Sequence, residues 1–99
     1  IDRNRLQATD FIEKCFNTDP FREKWEAFGW HVLEIDGHDI GQIIKALDEA
    51  DEVKGKPVVI IANTVKGKGV SFAENVPAFH NCSIDEEHYN RALEDLCCE

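Results

Sequence analysis

The chain has 99 residues, 42% of them apolar and 31% charged, with 20 acidic against 11 basic side chains and a formal net charge of −9. That length holds one domain or part of one, and the composition excludes disordered, collagen-like and low-complexity classes. The acidic balance disfavours the electrostatic grip used on nucleic acids and on anionic membrane surfaces. No apolar run approaches the ~20 residues that span a bilayer.

Ile1-Asp2 reads as the end of a strand, and Asp2-Arg3-Asn4-Arg5 as its polar exit. A start inside a strand, without methionine, is expected of a piece of a longer polypeptide. Residues 1–18 otherwise show little periodicity. Asp19-Pro20 predicts a helix start, with Asp19 as N-cap and Pro20 in the first helical position. Phe21, Trp25 and Phe28 follow at helical spacing as one apolar face, and Gly29 supplies the stop. Trp30 to Ile35 reads as a strand and Asp36-Gly37-His38-Asp39 as a turn. Asp39 with Gln42 forms a capping-box-like pair, after which Ile40, Ile43, Ile44 and Leu47 predict a buried stripe.

Val58-Val59-Ile60-Ile61-Ala62 is a continuous, mostly β-branched run, as in a central parallel strand covered on both faces. The stretch from Asn63 to Phe79 has no clear period. Ser83-Ile84-Asp85-Glu86 predicts a capping box with Ser83 as cap, opening a last helix with Tyr89, Ala92, Leu93 and Leu96 on one side. Strands alternating with helices mean βαβ units, hence an α/β fold with a parallel sheet and flanking helices. Four cysteines, Cys15, Cys82, Cys97 and Cys98, lack Cys-x-x-Cys spacing, and the polar opening Ile1-Asp2-Arg3-Asn4-Arg5 is not the pattern expected of a secretory leader. Reduced thiols in a cytoplasm are expected.

In open α/β sheets ligands bind beyond the carboxyl ends of the strands. The exits here are Asp2 to Asp10, Asp36 to Asp39, and Asn63 onward, which gathers Asn4, His38, Lys66, Lys68 and His80 as candidates. Thr64-Val65-Lys66-Gly67-Lys68-Gly69 has glycines that permit close backbone approach and lysines that suit phosphate. It is not a Walker loop, and taken alone it also suits a mobile solvated turn. His80 suits an anionic ligand or proton transfer, and equally a surface histidine. Asn4 offers an amide oxygen to a hard cation, and equally a turn residue. His38 suits the turn, while His31 and His88 read as structural or solvent-facing. A zinc site from His80, Cys82, His88 and a C-terminal cysteine follows no strong ligand spacing.

Ile-Asp-Arg-Asn-Arg-Leu-Gln at 1–7, Lys-Trp-Glu-Ala-Phe-Gly-Trp-His-Val at 24–32 and Glu-Ile-Asp-Gly-His-Asp at 34–39 stand in order along the chain. Gly-Lys-Pro at 55–57, Ala-Asn-Thr-Val-Lys-Gly-Lys-Gly-Val-Ser-Phe at 62–72, Phe79-His80 and the Glu-Glu-x-Tyr-x-x-Ala-Leu helix continue them. The ordered set resembles the thiamine-diphosphate-binding domain of transketolase, especially the split form whose N-terminal section is a separate chain. The resemblance implies a thiamine-diphosphate-binding fold present as a partial domain, with residues 1–99 as its C-terminal part. It implies magnesium held by Asn4 and by the backbone carbonyl of Leu6, with Asn4 also touching the cofactor diphosphate. It gives His80 a catalytic role at the diphosphate and substrate, and it places Lys66 and Lys68 in the glycine-rich loop near the cofactor.

The implied chemistry moves a two-carbon ketol unit from a ketose phosphate to an aldose phosphate, in pentose-phosphate metabolism. The resemblance places the family's Gly-Asp-Gly turn, which supplies the magnesium aspartate, as an expectation upstream of Ile1. The glutamate that activates the thiamine ring comes from a pyrimidine-binding domain, or C-terminal section, in the same or a partner chain. An oligomer is therefore expected, and the 99 residues alone are expected to lack activity. Asn81 and Asp10 stand where the family commonly has glycine. Deoxyxylulose-phosphate synthase or a related dehydrogenase component is an alternative within this chemistry. A non-catalytic α/β module that binds another protein is the alternative outside it, and a nucleotide-phosphate binder lacks its loop pattern.

Overall fold

The computed structural model describes residues 1–97. The elements are β1 (Asp2–Arg3), α1 (Ile12–Cys15), α2 (Phe21–Ala27), β2 (His31–Asp36), α3 (Ile40–Glu52), β3 (Val58–Asn63), a 3-10 turn (Pro77–His80) and α4 (Glu86–Cys97). They divide into two compact units. One comprises Ile1–Arg3 and Asn17–Thr64, and the other Asn4–Phe16 and the chain from Val65 onward. Among the described residues no helix is long and apolar enough to cross a membrane.

The first unit is a three-stranded parallel sheet in the order β1-β3-β2. The β-branched run is thus the central strand, as its sequence requires. The three strands end level, because Asn63 pairs with Arg3 on one side and with Asp36 on the other. Ile61 is fully buried, and with Val32 and Val59 it forms the core against which Phe21, Trp25 and Trp30 pack. Helix α2 closes by a Schellman arrangement around Gly29 at φ +85°. The Gly29 N–H donates to the Glu26 carbonyl at 2.9 Å and the Trp30 N–H to the Trp25 carbonyl at 3.2 Å. The accompanying apolar contact is Trp25 on Trp30, edge to face at 5.0 Å.

Three local expectations are corrected. Asp19 does not cap α2, which is preceded by Pro20 without a side-chain cap. Its carboxylate pairs instead with Arg3, whose guanidinium also reaches Glu34 at 3.3 Å, while the Asn63 amide donates to Glu34 at 2.9 Å. These bonds tie together the carboxyl ends of all three strands. Phe28 leaves the apolar face of α2 and is 83% exposed. The α3 stripe is not buried either: Ile40, Ile44 and Leu47 are more than half exposed, and Ala46 is buried instead. The helix packs on β2 at the sheet edge. The narrow line of Ile43, Ala46 and Ala50 faces inward there, and a sheet of three strands covers no more of the stripe. Its cap is as expected, with the Gln42 N–H on Asp39 Oδ1 at 3.1 Å.

The second unit has little regular structure. Its short helix α1 has no periodic signal in the sequence. Helix α4 is capped by Asp85, not by Ser83: Asp85 Oδ1 accepts the His88 N–H at 2.9 Å. Its inward side is also different. His88, Ala92 and Asp95, spaced i, i+4 and i+7, are partly buried, whereas Tyr89, Leu93 and Leu96 are exposed. Asp95 faces inward because its carboxylate takes the Ser71 N–H at 2.8 Å.

Candidate cofactor-binding site

Asn4, Leu6, Lys66, Lys68 and His80 all belong to the second unit. Asn4 directly follows β1. Its Oδ1 accepts the Leu6 N–H at 2.9 Å, across Arg5 at φ +59°. A left-handed arginine costs roughly 1–2 kcal/mol and persists only where its surroundings hold it. Here they do: the Ile12 N–H donates to the Arg5 carbonyl and the Gln7 N–H to the Asp10 carbonyl, both at 3.0 Å. These two bonds flank an antiparallel bridge between Leu6 and Phe11. Leu6 is therefore the non-hydrogen-bonded member of its pair, with its N–H and C=O turned away from Phe11. The N–H is met by Asn4, and the carbonyl takes no bond within the bridge.

Two oxygens of the kind a hard cation prefers, one amide and one peptide carbonyl, thus belong to one rigid turn. Among the described residues no three His, Cys, Asp or Glu side chains gather as a metal cluster. A cation here would complete its shell from elsewhere. Asp10 keeps the loop closed in another way. Its carboxylate accepts the Phe11 N–H at 2.8 Å, which holds its pKa below the usual value, with Lys14 contributing. No positive φ is required at Asp10 or at Asn81, where φ is −153°. The departures from glycine at these two positions are accommodated without strain.

Lys66 and His80 line a common cleft of about 370 Å³ whose other walls include Gly67, Phe72, Phe79 and Cys82. His80 is exposed at the end of the 3-10 turn, which starts at Pro77 and is closed by the Phe79 N–H on the Val76 carbonyl at 3.1 Å. Lys68 is not part of this cleft lining; its ammonium stands 3.8 Å from Glu74. The glycine-rich stretch is a folded turn, with the Asn75 N–H on the Lys66 carbonyl at 3.0 Å. Gly67, at φ +73°, lies so close to Ala73 that a Cβ would stand 2.7 Å from the Ala73 carbonyl oxygen. The missing side chain serves this internal contact. His38, expected near these groups, belongs to the first unit, where Asp36 Oδ1 accepts its N–H at 2.9 Å.

The whole chain, residues 1–99, matches the model of the transketolase thiamine diphosphate binding domain. The chain belongs to this family. It is 41% identical over 95 residues to a 6-deoxy-6-sulfo-D-fructose transketolase subunit of Clostridium sp. (strain MSTE9), covering 96% of this chain and 34% of that protein. It is 38% identical to one of the apulose-4-phosphate transketolase subunits of Phocaeicola vulgatus, covering 97% of this chain and 34% of that protein. The transketolase of Campylobacter jejuni superposes with a TM-score of 0.86 at 33% identity, covering 97% of this chain and 15% of that one. The chain thus spans about a third of the two subunit relatives and a smaller part of the full-length enzyme. The α/β fold with a parallel sheet and flanking helices, as a partial transketolase-type domain, is the one expected from the sequence.

One residue, read from the sequence only as structural or solvent-facing, now stands out. His88 is turned inward on α4 and packs against Phe72 and Phe79, with ring centroids at 4.8 Å and 6.0 Å. The available signal was its spacing to Asp85 and Ala92 on one helix side.

Proposed function

We propose that residues 1–99 are the C-terminal part of the diphosphate-binding domain of a transketolase-type transferase. The reaction is transfer of a two-carbon ketol unit from a ketose phosphate to an aldose phosphate. Thiamine diphosphate supplies the carbanion chemistry when bound. In this reading Asn4 Oδ1 and the Leu6 carbonyl hold Mg²⁺, Lys66 and His80 face the diphosphate, and His80 also meets the substrate. Lys68, paired with Glu74, contributes positive charge at the edge of the site. The remaining ligands and the thiamine-activating glutamate come from other sections of the enzyme, in the same or a partner chain. Relatives named as transketolase subunits support an assembly of sections. We place the enzyme in the cytoplasm, in keeping with the free and exposed Cys15, Cys82 and Cys97.

The observation that carries this reading is the turn in which Asn4 Oδ1 is fixed by the Leu6 N–H while the Leu6 carbonyl is left outward. The sugars named for the relatives differ from one another, so the sugar itself is not carried over from them. The test is Asn4→Ala in the full-length, partner-assembled protein, with thiamine diphosphate titrated at several Mg²⁺ concentrations. We expect cofactor affinity to fall at least about tenfold, the scale of a lost charge-assisted contact, with excess Mg²⁺ restoring part of it. Unchanged, magnesium-independent binding would remove Asn4 from the site. Absence of any cofactor binding by the assembled wild-type protein would favour the interaction-module alternative, for which the exposed apolar residues of α3 are the specific support.

A further inference from the structure

His80 is presented by a short turn, and its imidazole makes no hydrogen bond to another described residue. Its position is therefore set by the backbone of Pro77–His80. Within that turn Phe79 is half-buried and makes ring contacts. Its ring lies 5.4 Å from Phe72 and 6.0 Å from His88, centroid to centroid. Phe72 and His88 meet edge to face at 4.8 Å, and the Arg91 guanidinium lies over Phe72 at 6.0 Å. All these separations fall in the range of favourable ring contacts. Phe72 and Phe79 line the cleft that also receives Lys66 and His80, and His88 backs them from the helix side.

The cap of α4 does not explain the His88 side chain. Asp85 needs only a backbone N–H at this third helical position, which any residue but proline supplies. The imidazole does something more. Its Nδ1 is 2.7 Å from Asp85 Oδ1, which orients the ring, and one side of the ring meets Phe72 and Phe79 while the side chain stays 43% exposed. A ring locked at one end to a helix cap and packed at the other on the neighbour of His80 makes a rigid prop.

We propose that His88 is a positioning residue for His80: its ring, oriented by Asp85, holds Phe79 and so fixes the turn that presents His80 to the cleft. The inference rests on the reading of His80 as a cofactor and substrate contact, and its test separates the two. The experiment uses the full-length, partner-assembled enzyme at saturating Mg²⁺. It measures the thiamine diphosphate dissociation constant, kcat and KM for a ketose phosphate, and the thermal midpoint. For His88→Ala we expect the dissociation constant to rise about three- to tenfold, the scale of a lost ring–ring contact. For His88→Phe, which keeps a ring against Phe72 and Phe79 but loses the bond to Asp85 that orients it, we expect a smaller rise, between wild type and His88→Ala. Should His88→Ala not fold, Phe79→Leu is expected to give the same rise. Wild-type cofactor affinity in His88→Ala or Phe79→Leu, or equal weakening in His88→Ala and His88→Phe, overturns the proposal. His80→Ala is the reference. If it weakens cofactor or substrate binding and His88→Ala does not, the prop alone is wrong. If His80→Ala changes neither while Asn4→Ala weakens binding, the role given to His80 falls, and the prop with it.

Discussion

The two units of this chain are built by different means. The first is a sheet with a core, and the buried side chains among the described residues, Val32, Ala46, Val59 and Ile61, all belong to it. The second carries Asn4, Leu6, Lys66, Lys68 and His80 and has no such core. It is held by side-chain oxygens on backbone N–H groups: Asn4 on Leu6, Asp10 on Phe11, Glu74 on Gly69, Asp95 on Ser71 and Asp85 on His88. Apolar burial stabilises a scaffold without directing particular atoms. Directional bonds fix particular backbone groups where a ligand would need them.

The sharpest way to break this contrast is Ile61→Ala. Ile61 is fully buried in the central strand, so the substitution removes its transfer energy and leaves a cavity, at a cost of about 2–5 kcal/mol. Urea unfolding of the full-length protein measures it. A loss below about 1 kcal/mol would mean that the first unit is not the stable scaffold.

Next in size is a pair of glycines, one from each unit. Gly67→Ala places a methyl group 2.7 Å from the Ala73 carbonyl oxygen at φ +73°. Backbone strain of about 1–2 kcal/mol is then joined by a clash with main chain, which cannot rotate aside. We expect a total above about 2 kcal/mol. Gly29→Ala has φ +85° but meets nothing within 4 Å, and we expect only the strain, about 1–2 kcal/mol. Equal losses at the two positions would show that the second unit gives way around Gly67, and that its turn is less rigid than the bonds imply.

The same contrast explains what the sequence disclosed. Alternation of strands and helices, the β-branched centre of β3, the Asp39 cap and the Gly29 stop are local patterns, and all four are present in the first unit. The α4 cap is misplaced locally, by two residues, but other misplaced features depend on partners remote in the chain. Asp19 is drawn from its helix to Arg3, sixteen residues away, and Asp95 turns inward for Ser71, twenty-four residues away. Residue spacing along a helix marks which side is apolar, but not how wide a sheet is available to cover it, so the stripe that spacing predicts on α3 is wider than the line the helix buries. Asn4, Lys66, Lys68 and His80 were legible as residues at strand exits, and the roles proposed for them rest on family likeness. The bonding around Asn4 and Arg5 follows no periodic pattern.

The smallest expected effect concerns acid. Four carboxylates have pKa values held below the usual 3.8, in each case chiefly by a backbone N–H: Asp39 by Gln42 in the first unit, and Asp10 by Phe11, Asp85 by His88 and Asp95 by Ser71 in the second. A carboxylate whose pKa is lowered by folding stabilises the fold at pH values above its unfolded value. That contribution is lost as pH falls through the folded value. Three of the four lie in the unit without a buried core, where they close the Asn4 loop and fasten α4. On acidification from pH 5 downward, amide hydrogen exchange, corrected for its intrinsic pH dependence, should lose protection first at Phe11, Ser71 and His88. Ile61 should keep its protection until the whole protein unfolds. Simultaneous loss at all four amides would mean that the two units unfold as one, and that burial in the first is coupled directly to the hydrogen bonds of the second.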